Sequence, residues 1–112
     1  MQNLRPHGHH IIPKGLNRAR GPRLASVVNK LQDLARRFNI DIVNDIDNLT
    51  IAPNGLGTHS VAALERVFER LAASVDSEAA FRAELRQIGQ DITDGSFYLE
   101  FSHSKDTYGA AR

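Results

Sequence analysis

Gly8-His9-His10-Ile11-Ile12-Pro13 is the stretch from which the rest of this chain can be read. Two adjacent histidines head a short β-branched run that a proline closes. Val, Ile and their like favour strands, and a strand sends successive side chains to opposite faces. His9 and His10 on one strand therefore cannot do the same job. That geometry suits a metal site in which one imidazole holds an ion while its neighbour handles a proton from water. The plain alternatives are a surface histidine pair or the remnant of a purification tag. The run is too short for a tag and leads into strand formers.

Outward from this stretch, composition narrows the options. At 112 residues the chain is expected to be a single domain with one modest core. It has no cysteine, which excludes disulfides and thiolate metal sites and leaves imidazole, carboxylate, carbonyl and amide groups as ligands. No apolar run reaches the ~20 residues of a membrane helix, and the N-terminus lacks the apolar core of a signal peptide. A soluble chain without membrane contact is the expectation, either cytoplasmic or exported on a carrier.

The net charge of +1 hides an asymmetry. The first forty residues carry eight Lys or Arg against one acid, Asp33, and the remainder carries six against twelve. A basic segment that contains the histidine pair can meet phosphates, while the acidic part keeps the whole in solution. Lys14, Arg18, Arg20 and Arg23 flank the histidine run in a Gly- and Pro-containing loop and are the expected nucleic-acid contacts. Two solvated helical faces of opposite bias would give the same arithmetic.

Along the chain, residues 1–7 read as an arm and residues 8–12 as a strand ended by Pro13 and Gly15. Leu24, Val27, Val28, Leu31, Leu34, Ala35 and Phe38 recur at three and four residues, which predicts an amphipathic helix over Pro22 to Phe38. Ile40 to Val43 reads as a brief strand, and 44–48 as a turn-rich loop. Leu49 to Ala52 reads as a second strand stopped by Pro53-Asn54-Gly55. Thr58 is the expected N-cap of a helix running to about Ser74. Asp76 or Ser77 opens a third helix that Asp94-Gly95 breaks. Ser96 to Phe101 reads as a final strand, and the tail beyond it as loose.

With His9-His10 on a first strand, Asn48 leading into a second and His59 at a helix start, the order His, Asn, His resembles the HNH or ββα-metal nucleases. The resemblance is to the AHH branch of the HNH and endonuclease VII superfamily, found as toxin modules of bacterial polymorphic toxins. It rests on Gly8-His9-His10-Ile11-Ile12-Pro13, Ile40-Asp41-Ile42 with Asn44, Asp47-Asn48-Leu49-Thr50-Ile51-Ala52-Pro53 and Gly57-Thr58-His59-Ser60. It covers about Pro6 to Leu71. Gly8 stands where the branch has its naming alanine. Ala63 stands four residues after His59, where many HNH helices carry a second ligand. A helix also interrupts the hairpin.

The resemblance implies an α+β fold: a ββα-metal core with a helix inserted between the two strands, over residues 6 to about 74, and a C-terminal helical extension over 75–112. It implies that His9 and His59 are metal ligands and that His10 is the general base. Asn48 would brace the loop joining the strands and fix His10 through backbone contacts, with Asn44 as its competitor. The implied cofactor is a divalent ion, Mg²⁺ first, with Zn²⁺, Ni²⁺ or Mn²⁺ as alternatives given two imidazoles. The implied activity is hydrolysis of DNA phosphodiesters rather than RNA, in a toxin effector with a cognate immunity protein. His7 is a candidate extra ligand, whereas His103, Glu65 and Glu69 read as surface. Two other readings remain open: a nucleic-acid-binding module with a structural metal, and a metal-independent ribonuclease toxin using two histidines as acid and base.

Overall fold

The strand at the histidine pair ends before the β-branched run expected to continue it. In a computed structural model, which describes residues 7–15, 21–52 and 60–97, β1 is His7–His10 and β2 is Leu49–Ala52. They pair antiparallel, with Gly8 opposite Ile51, His9 opposite Thr50 and His10 opposite Leu49. The chain bends after His10, so that Ile11 and Ile12 are both buried. A continued strand would have turned one of them to solvent. The ladder does not stop abruptly: Ile11 N donates to Asn48 O at 2.9 Å, and the Asn48 side chain takes over at Ile12.

The apolar stripe from Leu24 to Ala35 builds α1 (Pro22–Arg37), with Pro22 opening it and Arg36 and Arg37 at the negative end of its dipole. Asn39 at φ 62 turns the chain out of the helix, and Ile40 N closes onto Ala35 O at 2.8 Å. The strand expected at Ile40 to Val43 is instead a turn. The Asp41 carboxylate accepts from Val43 N at 3.1 Å and from Asn44 N at 3.2 Å, offering the backbone a local partner in place of a ladder. A single 3-10 turn, Ile46–Asn48, capped by the Asp45 carboxylate, then feeds β2.

Ser60, not Thr58, caps the next helix. Its hydroxyl accepts from Ala63 N, and α2 is Val61–Ala72. Ser77 caps α3 (Glu78–Asp94), and Gly95 at φ 88 ends it in the left-handed region that glycine enters without cost. The final strand expected from Ser96 is corrected over its first two residues. Ser96 and Phe97 are helical, restarted by an Asp94 carboxylate that accepts from Ser96 N at 3.0 Å, and Phe97 is buried. The rest of that segment lies outside the described residues.

Among the described residues the fold is thus α+β, three α-helices and a two-stranded antiparallel sheet around one core. The helix that lies directly against the sheet is α3, whereas α2 packs on α1 and α3. The ββα-metal core that the resemblance implies would instead rest the hairpin on the helix after Thr58. Gly89 accounts for the difference. The absence of a side chain there lets α3 approach Thr50 closely enough for the Thr50 hydroxyl to donate to Gly89 O at 2.8 Å. Thr93 in turn donates to Ile51 O at 2.6 Å.

A Cβ at Gly89 would lie 3.2 Å from Ile11 Cδ1 and 3.3 Å from Thr50 Cβ. Gly89→Ala gains about 0.8–1.0 kcal/mol of helix propensity, but crowding a packed site costs typically ~1–3 kcal/mol. A net loss of about 1 kcal/mol in urea unfolding is expected. A stabilised variant would mean that the helix does not press on the sheet.

Candidate active site

Because side chains of directly opposed residues share a face, the β1–β2 register sorts the two histidines. Thr50 faces α3 through its bonds to Gly89 and Thr93, so its partner His9 lies on the covered face, where it is 6% exposed. His10 lies on the other face, half-buried, opposite the exposed Leu49. Gly8 leaves open space beside it, with nothing within 4 Å of where a Cβ would stand.

The His10 ring is oriented from the turn that precedes β2. Its Nε2–H donates to Val43 O at 3.2 Å. A carbonyl can only accept, so Nε2 carries the hydrogen in the neutral ring and the basic lone pair is at Nδ1.

Asn48 is fully buried at 0% exposure, and its amide is used completely. Oδ1 accepts from Ile12 N at 2.7 Å, while Nδ2 donates to Ile12 O at 3.0 Å and to Ile42 O at 2.8 Å. One side chain thereby ties the end of the histidine strand to the turn that carries Val43. Asn44 does something else. It is exposed, and its amide donates to Asp41 within its own turn.

That turn is gripped from α3. Arg82 Nη1 donates to Asp45 Oδ2 at 2.7 Å and Asp47 Oδ2 at 2.9 Å, Nη2 to Asn39 O at 3.0 Å, and Nε to Glu78 Oε2 at 2.9 Å. Burial alone would push the Asp45 carboxyl up, but bonds from Arg82 and from Asp47 N–H outweigh it and hold it below the usual carboxylate range. The Arg82 guanidinium likewise holds Glu78 down, with help from Asn39. Asp41 is lowered by the Asn44 side chain and backbone N–H groups. These bonds favour the ionised carboxylates of Asp41, Asp45 and Glu78.

His59, the expected second ligand, and Thr58 lie outside the described residues, as do Arg18, Arg20 and His103. His7 belongs to β1. Among the described residues no three His, Asp or Glu side chains form a group that could hold a metal ion. Of the expected ligand pair only the buried His9 lies within the described residues, and an imidazole donor suits Zn²⁺ or Ni²⁺ better than Mg²⁺.

Of the expected nucleic-acid contacts, Lys14 is exposed. Arg23 is exposed too, but its guanidinium grips Glu65 across α1 and α2 at 3.1 and 3.2 Å. An exposed pair of this kind contributes about 0–1 kcal/mol, so a phosphate can displace it at little cost. Two contributors escaped the sequence reading, Val43 O and Arg82. A backbone carbonyl leaves no trace in residue type, and an arginine among acids reads as ordinary helical surface. The outer face also exposes Val43, Leu49, Ile51 and, at 79%, Ile46. Among the described residues no helix is long and apolar enough to cross a membrane.

No protein-family model, curated protein or solved structure matches this chain.

Proposed function

We propose that the chain is a metal-dependent endonuclease of the ββα-metal type, acting on DNA, with its HNH-like site drawn from β1, β2 and the segment leading into α2. The observation that carries this reading is the Asn48 brace. A buried asparagine leading into the second strand locks the end of the first strand, and the same turn orients His10 through Val43 O. In that reading His10 Nδ1 takes the proton from water as its oxygen attacks phosphorus. The bond to the leaving 3′ oxygen then breaks and that oxygen collects a proton from solvent. A divalent cation on His9 and His59 would supply charge neutralisation at the scissile phosphate and at the leaving oxygen. Asn48 and Val43 O hold the base in place, and Lys14, Arg18, Arg20 and Arg23 grip the phosphate backbone. The family resemblance adds a role as a toxin effector with an immunity partner, and the single-domain reading of 1–112 belongs to this proposal as well.

Plasmid cleavage with Mg²⁺, Mn²⁺, Ni²⁺ or Zn²⁺, beside a chelated control, is the test. Nicking and linearisation that vanish on chelation are expected. Cleavage of RNA that survives chelation would replace this reading with the metal-independent ribonuclease. Burial of His9 favours one other reading, a binding module with a structural ion. Under it chelation unfolds the domain, as circular dichroism would report, and no metal restores cleavage.

A further inference from the structure

Arg82 lies on α3, outside the stretch that carries the nuclease resemblance, yet its contacts converge on the turn that orients His10. Its guanidinium holds Asn39 O at the start of the 39–47 segment and Asp45 and Asp47 at its end, from one point on the helix. Between these anchors sits Val43, whose carbonyl accepts from His10 Nε2. Asp45 also caps the 3-10 turn whose last residue is Asn48. The path from α3 to the imidazole is therefore Arg82, the Asp45–Asp47 pair, the turn, Val43 O and His10. We propose that Arg82 is a positioning residue that sets the tautomer and ring orientation of His10. This inference rests on the reading of His10 as the general base.

The residue type fits the task. Arginine presents five donors in a planar fork, whereas lysine offers one compact ammonium that cannot reach acceptors on opposite sides. Without the guanidinium, Asp45 loses its cation and Asp47 keeps only Arg86 at 3.4 Å, so the repulsion between the two carboxylates loosens the end of the turn. Val43 O then holds the Nε2 hydrogen less firmly, and the preference for the Nε2–H tautomer weakens. A base correctly presented only part of the time lowers turnover without changing how substrate binds.

Arg82→Lys and Arg82→Gln are the test variants, with Arg70→Gln as the control. Arg70 makes a comparable clamp, to Glu84 at 2.5 Å and Asp91 at 2.8 Å, but joins α2 to α3 rather than holding the His10 turn. Long-range ¹H–¹⁵N spectra of the His10 ring, recorded where it is neutral, read the tautomer directly. Both Arg82 variants should convert a dominant Nε2–H tautomer into a mixture, with kcat down about tenfold and KM within about twofold. Arg70→Gln should lower thermal stability and leave tautomer and kcat unchanged. If Arg82→Gln does not fold, Arg82→Lys and Asp47→Asn, which loosens the same clamp, carry the test. An unchanged His10 tautomer in folded Arg82 variants, or the same shift in Arg70→Gln, overturns the proposal. A wild-type chain that cleaves with no metal overturns the metal-dependent reading instead, and the tautomer still decides whether Arg82 positions His10.

Discussion

His10→Ala should abolish cleavage, by about 10²–10⁴-fold, while leaving metal affinity and the fold nearly intact. The expected loss is the ordinary contribution of a positioned general base. The fold should survive because His10 is half-buried on the outer face of the sheet and its Nε2 bonds to an exposed turn. His9→Ala and His59→Ala should behave differently, weakening metal binding and cleavage together, because both are assigned to the ion. Isothermal titration of each variant with Ni²⁺ or Zn²⁺, beside the plasmid assay, separates the two patterns. Equal loss of metal in all three would mean that the roles of the adjacent histidines are exchanged or shared.

Asn48→Ala should be the most costly single substitution for the fold. It strips partners from Ile12 N, Ile12 O and Ile42 O at a fully buried position. Each buried polar group left without a bond costs about 1–3 kcal/mol, and the three are not independent, so a loss of roughly 3–5 kcal/mol is expected. That is a large share of the ~5–15 kcal/mol by which a domain is stable. Asn48→Asp should be no better. A carboxylate still accepts from Ile12 N, but it turns an oxygen toward two carbonyl oxygens. Urea unfolding of both variants measures the cost, and a loss under about 1 kcal/mol would show that water replaces the amide. Set beside His10→Ala, the pair separates chemistry from architecture. One variant folds and does not cut, and the other loses the platform on which cutting depends.

The helices were legible because apolar spacing reports directly which face is buried: Leu24 to Ala35, Val61 to Leu71 and Phe81 to Ile92 each form one stripe. β2 was legible to the residue, since Pro53-Asn54-Gly55 follows a short β-branched run. Periodicity does not say which surface a stripe will meet. The docking of α3 on the sheet depends on one glycine facing one threonine, and neither is a core residue by type. Ile40 to Val43 was misread because its alternation is strand-like, while Asp41 supplies the turn with bonds that hydrophobicity cannot report. At the site, the side chains that matter by chemical identity stand out in sequence. What orients them does not: the choice of Asn48 over Asn44 for the brace depends on which of two asparagines is buried, and Arg82 reaches acceptors 35 to 43 positions away.

The two strands join residues far apart along the chain, with Ile12 and Asn48 separated by 36 positions and all of α1 between them. Closing so long a loop has an entropic cost before any contact offsets it, which places this pairing late in folding. Thr50 then waits for Gly89 and Thr93, and the His10 turn waits for Arg82. During synthesis, a nascent chain that has emerged only through α2 already displays the paired histidines, Asn48 and His59. It still lacks the helix that holds Thr50 and the His10 turn. On the reading proposed here, catalytic competence arrives with α3, so a truncated or stalled product carries the motif without the activity.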